Sequence, residues 1–412
     1  MNVKEIVLQD LISFTKDGEW GKDKDTGSSI EMYVIRGTDF QDVKAGYFGN
    51  LPIRWIPKHI AEKKTLEAGD VLIELAGGTE DNPTGRTCYV SEEFIANSDR
   101  PLTVASFSRF IRFDNSICDS NYIYWMLHFL HKYRIIKKYH VQHTGTSRFQ
   151  WTLFSNKEKI KVHEFPIQHK IANILSAYDD LIENNKKRIK LLEEMAEEIY
   201  KEWFVRMRFP GYEKTKFFNE QGKQVPFGTN GALPEGWEKV KLESALERVK
   251  RMPKVSTDQY LSEGLFPIID QGDSIIAGYT NDESFVQFEP LPLVIFGDHT
   301  RRVKYVNFPF AAGADGTQFL YPKNKSLLPI YFFIAVKNID LSNFHYARHF
   351  KFLKQEYIII PDEKIVLTFN DLTKPFFDEI RILSQKNLLL QETRDLLLPR
   401  LMSGKLSVEE LA

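Results

Sequence analysis

Residues capable of acid–base or anion-binding chemistry are concentrated in the string GDHTRR, residues 297–302. It places Asp298 next to His299, a pair that can serve as a general acid and a general base. It also places Arg301 and Arg302 after an apolar stretch, where their guanidinium groups can bind an anionic partner. The string therefore leaves two interpretations open, acid–base catalysis and nucleic-acid contact. A basic loop at the end of a strand fits the second one better.

Other strings do not support enzyme chemistry. PDEK at 361–364 invites comparison with nucleases, but metal-binding carboxylates have to converge on Mg²⁺ from separated positions. DNPTG at 81–85 lacks the second proline and the aromatic residue of the [ND]-P-P-[FYW] pocket that adenine methyltransferases need. No GxxxxGK[ST] phosphate loop is present in the sequence. We therefore expect no catalytic residue and no metal ligand in this chain.

Candidate nucleic-acid contacts form basic clusters in both halves of the chain. The predicted contacts are Arg86, Lys137, Lys138, His140, Arg148, Arg301, Arg302, Lys304, Arg348, His349 and Lys351, and the first cluster adds Gln142, His143 and Thr144. Basic side chains position DNA through its phosphates or read base edges in the grooves. Each single residue is equally well explained as a solvated charge or a strand-end ion pair. As clusters they favour DNA contact, because positive charge is gathered there.

The composition indicates a multi-domain protein rather than a polycation. The chain has 412 residues, more than one ordinary hydrophobic core accommodates. Its formal net charge is −1, so any nucleic-acid surface has to be local. Cys88 and Cys118 have no CxxC partner, which indicates buried thiols in a reducing cytoplasm. The first residues do not resemble a signal peptide, and no stretch approaches the ~20 apolar residues of a membrane span.

Two segments, 166–205 and 371–402, have the apolar periodicity of long helices. The first is expected to begin after Pro166, because proline suits the first turn of a helix. The second is expected to begin near residues 370–371, where Asn370 or Asp371 can cap a helix and Pro375 follows early. At ~1.5 Å per residue, the first helix would be ~55 Å long.

The two long helices repeat one another. The string LEEMAEEIYKEWF (192–204) aligns with LQETRDLLLPRLM (390–402), an offset of 390 − 192 = 198. Steps of four and three mark the first apolar seam at Ile171, Leu175, Tyr178, Ile182, Asn185, Ile189, Leu192, Ala196, Ile199 and Trp203. The offset carries that seam to Phe376, Ile380, Leu383, Asn387, Leu390, Arg394, Leu397 and Leu401. Each seam thus contains one asparagine, although the offset carries Asn185 to Leu383 and Ile189 to Asn387.

The regions before the helices also repeat, more weakly. GDVLIELAG (69–77) resembles LPLVIFGDH (291–299), SRFIRFDNSICDSNYIYWMLH (108–128) resembles GTQFLYPKNKSLLPIYFFIAVK (316–337), and RFQW (148–151) resembles HFKF (349–352). A link rich in glycine, proline and polar residues, 210–237, joins the halves. The plan is therefore globular domain, long helix, globular domain, long helix.

Asn185 would face Asn387 if the two helices paired in an antiparallel coiled coil, in which facing residue numbers have a constant sum, here 185 + 387 = 572. The same sum pairs Ala196 with Phe376 and Tyr178 with Arg394, where a cation–π or hydroxyl contact is available. Paired amides satisfy one another and set the register of the seam. The alternative, that each helix packs only on its own domain, stays open.

Several strings together resemble the specificity subunits of type I restriction–modification systems. They are VIRGTDF (34–40), FPIQHKIANILSAYDDLIENNKKRIKLLEEMAEEIYKEWF (165–204), FPIIDQGDSIIAGYT (266–280), VIFGDHTRRVKYVNFPFAAGADGTQFL (294–320) and NLLLQETRDLLLPRLMSGKL (387–406). The resemblance covers nearly the whole chain, and none of the short strings would be specific alone.

The resemblance implies an α+β fold with two similar mixed α/β target recognition domains, related by a pseudo-twofold internal repeat and separated by two long helices. The expected boundaries are 1–165 and 210–370 for the domains, and 166–209 and 371–412 for the helices and tail. The helices would also dock partner subunits, with the apolar positions Ile199, Tyr200 and Phe204 as candidates.

The resemblance further implies that each domain reads one half of a split sequence in double-stranded DNA. Two methyltransferase subunits and restriction subunits would join the assembly and carry out the catalysis. They would bring S-adenosylmethionine, ATP and Mg²⁺, with no cofactor in this chain and no membrane contact. The alternative is a structural scaffold whose two domains bind proteins.

Overall fold

Short strands and turns precede each of two long helices, as the alternation of apolar residues predicts. The computed structural model describes residues 3–78, 83–143, 146–313, 316–343 and 348–411, without the side chains of Gln142, His143, Thr146, Glu410 and Leu411. The chain divides into two units, Met1–Lys187 with Leu383–Ala412 (unit 1), and Arg188–Ile382 (unit 2). Each long helix therefore contributes one segment to each unit.

In unit 1 the strands are β1 Val3–Val7, β2 Ile12–Asp17, β3 Ser29–Ile35, β4 Ile53–Pro57, β5 Val71–Glu74, β6 Ala76–Gly78, β7 Thr87–Tyr89, β8 Leu102–Val104, β9 Ser108–Phe113, β10 His140–His143, β11 Thr146–Phe149 and β12 Lys159–His163. The helices are α1 Phe40–Ala45, α2 Lys58–Lys64, α3 Glu92–Ala96, α4 Ser120–Lys132 and α5 Trp151–Lys157, followed by the long helix α6 Phe165–Tyr200. Short 3₁₀ turns cover Leu8–Leu11, Gly37–Asp39, Ile135–Tyr139 and Val408–Leu411.

In unit 2 the strands are β13 Phe217–Phe218, β14 Gln224–Val225, β15 Leu233–Pro234, β16 Glu238–Lys241, β17 Phe266–Ile269, β18 Gly278–Thr280, β19 Val286–Gln287, β20 Leu293–Gly297, β21 Val303–Val306, β22 Phe310–Ala312, β23 Thr317–Leu320 and β24 Tyr357–Ile360. The helices are α7 Leu242–Ala245, α8 Pro329–Lys337, α9 Phe350–Leu353 and the long helix α10 Glu363–Met402. A π-helical turn covers Lys201–Val205, and 3₁₀ turns cover Tyr212–Lys214, Thr257–Gln259 and Glu283–Phe285.

The two units share a strand topology. The central strand β5 lies between β7 and β9, and β20 lies between β21 and β23, with antiparallel pairing in every case. Strand β3 pairs antiparallel with β4 and parallel with β8, and β17 does the same with β18 and β22. The pair β1–β12 corresponds to β16–β24. The internal repeat and the α+β fold class that the sequence predicts are thus present in the structure.

The strand register shows that the string alignments between the halves are one residue out of phase. Glu74 faces Ser108 across the sheet, and Gly297 faces Thr317. The equivalent residues are therefore 297 − 74 = 223 and 317 − 108 = 209 positions apart, whereas the aligned strings give 222 and 208. The error matters because a shift of one residue along a strand moves every side chain to the opposite face.

The second long helix begins at Glu363, eight residues before the predicted start at 371. The carbonyl of Asp362 accepts the first helical N–H groups, from Ile365 and Val366, and its carboxylate accepts the N–H of Lys364 at 3.0 Å. Asp371 and Pro375 lie inside the helix, so the capping pattern was misleading. Helix α6 begins at Phe165, and 363 − 165 = 198, so the offset of the aligned helices also relates their starts.

The two helices pair in an antiparallel arrangement within each unit. In unit 1, Asn185 Nδ2 donates a hydrogen bond to Asn387 Oδ1 at 2.8 Å, as the sum of 572 requires. In unit 2, the guanidinium of Arg188 pairs with Glu379 at 2.8 Å. Asn387 is only 8% exposed, so its amide depends on this partner. The amide in the apolar seam therefore faces the matching amide of the other helix.

Two other predicted pairs have different outcomes. Arg394 pairs with the carboxylates of Asp179 and Asp395 instead of the ring of Tyr178, because a nearby anion attracts a guanidinium more strongly than an aromatic face does. Ala196 is fully buried, and the partly buried Phe376 packs on the same core of unit 2, where the sequence places a small residue against a large one.

Asn185→Leu is expected to lower the free energy of unfolding by about 1–3 kcal/mol, because it leaves the buried amide of Asn387 without its partner. The double change to leucine should recover most of that loss. Chemical unfolding of the four proteins in a double-mutant cycle measures the coupling. Asn184→Leu is the matched control, since Asn184 is exposed on the same helix. Additive single effects would show that the two amides are not coupled.

Each unit has a core that includes segments of the long helices. In unit 1, Leu175 of α6 and Leu401 of α10 are both fully buried in one cluster with Trp125. In unit 2, Tyr200 and Phe204 are buried in the core, which corrects their prediction as partner contacts. Within the described ranges, no helix combines the length and apolar character that crossing a bilayer requires.

Candidate nucleic-acid interface

The turn after β20 carries the basic string of unit 2. The N–H of Gly297 donates to Arg302 O at 2.8 Å, and the N–H of Arg301 donates to Gly297 O at 2.8 Å. These bonds close a tight turn in which Arg301 adopts a left-handed backbone conformation, with φ of 61°. The side chain of Arg302 projects from it, 60% exposed, and pairs with Asp273 at 2.6 Å. Since Asp273 is itself 81% exposed, this pair is easily exchanged for another anion.

Arg301 and His349 lie beneath this surface and contact each other. Arg301 Nε contacts His349 Nε2 at 3.3 Å, and its Nη1 donates to Leu341 O at 3.0 Å. His349 is buried, and its backbone N–H donates to Asp298 O at 2.9 Å. Both predicted contacts are therefore committed to joining two loops, and the neighbouring Arg348 is exposed.

Lys304 was predicted as a DNA contact, and the structure contradicts this. The residue is 7% exposed, and its Nζ donates to the carbonyls of Asp270 at 2.8 Å and Ser274 at 2.5 Å. Burial lowers the pKa of Lys304. Its position on β21 points the side chain toward a loop that precedes it by 30 residues or more, so it holds that loop in place. The exposed basic residues of this surface are Arg302, Arg348 and Lys351.

In unit 1, Arg86 occupies the position equivalent to Arg302. The N–H of Glu74 donates to Arg86 O at 3.0 Å, just as the N–H of Gly297 donates to Arg302 O. The Arg86 guanidinium forms a bidentate pair with the buried carboxylate of Glu74, at 2.9 and 2.7 Å, and this hydrogen bonding raises the pKa of Arg86. The Arg86 side chain remains 35% exposed, so one edge stays accessible.

The other predicted contacts of unit 1 differ in accessibility. Lys137 and Arg148 are exposed. Lys138 is also exposed but pairs with Glu158 at 2.8 Å. His140 packs against Phe149 with a ring separation of 5.4 Å, and burial lowers its pKa. His140 is therefore held neutral and contributes no charge near neutral pH. Thr144 and the side chains of Gln142 and His143 lie outside the described residues.

A second equivalence links Arg148 with Arg348. The N–H of Phe149 donates to Leu75 O at 2.9 Å, and the N–H of His349 donates to Asp298 O at 2.9 Å. Leu75 and Asp298 follow the equivalent residues Glu74 and Gly297, so the two segments are related by 349 − 149 = 200 positions. The aligned strings paired Arg148 with His349, one residue too far. Each unit therefore presents an arginine at the same two positions.

The described residues include no group of three or more His, Cys, Asp or Glu side chains placed to hold a metal ion. The surface chemistry of each unit is that of guanidinium and ammonium groups at the end of a central strand. Such groups bind phosphates and base edges.

The family comparison bears directly on this surface. A model of the type I restriction modification DNA specificity domain matches residues 2–194, which include the candidate interface of unit 1. The chain is also 26% identical over 438 aligned positions to the type I restriction enzyme MjaIX specificity subunit of Methanocaldococcus jannaschii, covering 98% of this chain and 96% of that protein. Over nearly its whole length, the chain is thus similar to a type I specificity subunit.

The fold of the chain is similar to that of a solved specificity subunit. The crystal structure of a type I restriction–modification S subunit from M. genitalium superposes with a TM-score of 0.55 at 14% identity, covering 97% of this chain and 96% of that one. The similarity therefore extends over both units and both long helices. The specificity-subunit resemblance that the sequence predicts is confirmed.

Proposed function

We propose that this chain is a type I specificity subunit that recognises a split target in double-stranded DNA, with one half-site bound by each unit. The observation that carries the proposal is the internal repeat of arginines. Arg86 and Arg302 are equivalent, as are Arg148 and Arg348, although the loops that carry them differ in sequence. Folding alone does not require arginine at the exposed positions of Arg148, Arg302 and Arg348, so a shared ligand chemistry explains their repetition better.

The chain is proposed to direct partner subunits rather than to catalyse a reaction itself. Methyltransferase and restriction subunits would supply S-adenosylmethionine, ATP and Mg²⁺ chemistry, with two methyltransferase subunits in the assembly. Exposed apolar side chains along the long helices support docking there, namely Leu181, Leu191, Met195, Leu389 and Leu396. Large exposed apolar groups on a helix favour a protein contact.

The proposal predicts a specific salt dependence. In the assembly with methyltransferase subunits, replacing Arg302 and Arg348 by alanine should weaken binding to target duplex. The slope of log K against log salt should become shallower by ~1 for each lost phosphate contact. Titrations at several salt concentrations measure it. Lys325→Ala is the matched control, because Lys325 is an exposed cation beyond the other end of β20.

An unchanged slope in the double variant would remove these arginines from the interface. The alternative function is a structural scaffold with two protein-binding domains. It predicts that the wild-type assembly shows no salt-sensitive binding to duplex DNA. Mapping methylated adenines in the host genome with and without the gene then decides between a split DNA target and the scaffold.

A further inference from the structure

Unit 1 contains an open recess beside the candidate interface. Of the predicted DNA contacts, Arg148 lines it. Its volume is about 450 Å³, and its lining includes Leu75, Phe107, Arg148, Phe149 and Gln150. Phe107 stands on the rim with 65% of its surface exposed. The N–H of Leu75 donates to Phe107 O at 2.8 Å, so the turn that carries this ring is tied to the end of the central strand. The recess thus has a fixed apolar wall.

Four polar residues line this recess, namely Asp17, Ser106, Arg148 and Gln150. Asp17 pairs with Arg109 at 2.6 Å. Burial alternates along β11 and its extension, with Ser147 and Phe149 buried and Arg148 and Gln150 exposed, so the exposed pair lies on one face. Neither Arg148 nor Gln150 makes a side-chain hydrogen bond or ion pair with any residue that the structure describes. Arg86, by contrast, is already held by Glu74. The donors of Arg148 and Gln150 are therefore available to a ligand.

The two side-chain types match the chemistry of purine edges. A guanidinium donates two parallel hydrogen bonds to guanine O6 and N7, and a glutamine amide pairs with adenine N6 and N7. Strand β11 pairs antiparallel with both β10 and β6 in a three-stranded sheet, which fixes the backbone of Arg148. Residues i and i+2 on a strand are ~6.6 Å apart, close to two base-pair steps of ~3.4 Å each.

We propose that Arg148 reads a guanine and Gln150 an adenine two base-pair steps away, in the half-site bound by unit 1. Phe107 forms the apolar wall against which the adjoining base edge packs. This inference rests on the proposed function, because it assigns the bases that one unit of the specificity subunit distinguishes.

Unit 2 differs at one of the two positions. The offset of 200 relates Arg148 to Arg348 and Gln150 to Phe350. Phe350 is partly buried, with its ring 6.3 Å from that of Phe296. Gln150 therefore has no polar counterpart in unit 2. The arginine position is common to both units, whereas the glutamine position belongs to unit 1 only.

The test measures base preference in the assembly of the full chain with its methyltransferase subunits. A pool of duplexes with randomised half-sites is methylated, and the methylated molecules are sequenced. Gln150→Ala and Arg148→Ala should each reduce discrimination at one position of one half-site by about 10- to 100-fold. Preference in the other half-site should not change. Lys157→Ala is the control, because Lys157 is exposed at the end of α5 and does not line the recess.

A second variant should acquire a new base preference instead of losing the existing one. Gln150→Glu keeps the side-chain length but replaces the amide by an acceptor, so the preferred base at that position should change from adenine to cytosine, whose N4 amino group donates. A loss of affinity that is uniform across sequences would overturn the inference and make the two residues phosphate contacts. Unchanged preferences in a folded variant, verified by its melting temperature, would also overturn it. If the wild-type assembly selected no sequence, the proposed function itself would fail.

Discussion

Leu401→Ala is expected to lower the free energy of unfolding of unit 1 by about 2–5 kcal/mol, the usual loss for a leucine truncated in a packed core. Leu401 is fully buried near the end of α10, in a cluster that includes Trp125 and Ile160. The C-terminal end of the chain therefore completes a core formed mainly by its first 187 residues. Hydrogen exchange resolved by peptide measures this, because it reports each unit separately.

Leu396→Ala is the matched control for that experiment. Leu396 is on the same helix, five residues earlier, but 63% exposed, so its truncation should change stability by no more than about 0.5 kcal/mol. Equal effects of the two substitutions, or faster exchange in unit 2 only, would contradict the assignment of the end of α10 to the core of unit 1.

Arg112→Met is expected to destabilise unit 1 by about 3–5 kcal/mol, because it leaves a buried carboxylate without its cation. Asp70 has a fully buried side chain and accepts from Arg112 Nε and Nη2, each at 2.9 Å. Combining Arg112→Met with Asp70→Asn should restore most of the loss, since the neutral amide needs no counter-charge. Chemical unfolding of the single and double variants measures the difference, and no restoration in the double variant would contradict this account.

The same pair predicts a pH dependence. Burial raises the pKa of Asp70, while the hydrogen bond from Arg112 opposes that rise. A carboxyl whose folded pKa lies above its unfolded value binds more protons in the native state, so its contribution to stability falls as pH rises through that interval. Removing Arg112 removes the hydrogen bond that opposes the rise, so the difference between the folded and unfolded pKa of Asp70 becomes larger. The deficit of Arg112→Met should therefore be largest at neutral pH and should shrink as pH falls into the carboxyl range. A deficit independent of pH would contradict this.

The helix pair was the most predictable part of the molecule. An α-helix repeats over a few residues, so the sequence alone places Asn185 and Asn387 on their seams and shows that an antiparallel register can join them. The start of α10 could also have been predicted from the sequence repeat. Applying the offset of 198 to Phe165 leads to Glu363, whereas reliance on the capping pattern near Asp371 led to the wrong residue.

The sequence shows that the strands of the two halves repeat, but it does not show which residue of one strand corresponds to which residue of the other. Short apolar strings match almost equally well when shifted by one position, and only the hydrogen-bonded register shows that Glu74 corresponds to Gly297. That single residue decides whether Arg148 corresponds to the exposed Arg348 or to the buried His349. The clearest functional correspondence between the units therefore required the structure.

By itself, the sequence indicated the order of strand-rich segments and long helices, the resemblance to type I specificity subunits, and a register in which the two asparagines can face each other, because these depend on local periodicity and on long matching strings. The tertiary structure decided which basic side chains are exposed. Lys304 and Arg301 have the same charge as Arg302, yet their side chains bond to carbonyls of Asp270 and Leu341, which are more than 30 residues away in the chain. Burial by such distant loops leaves no local pattern, so charge in the sequence could not distinguish a buried support from an exposed contact.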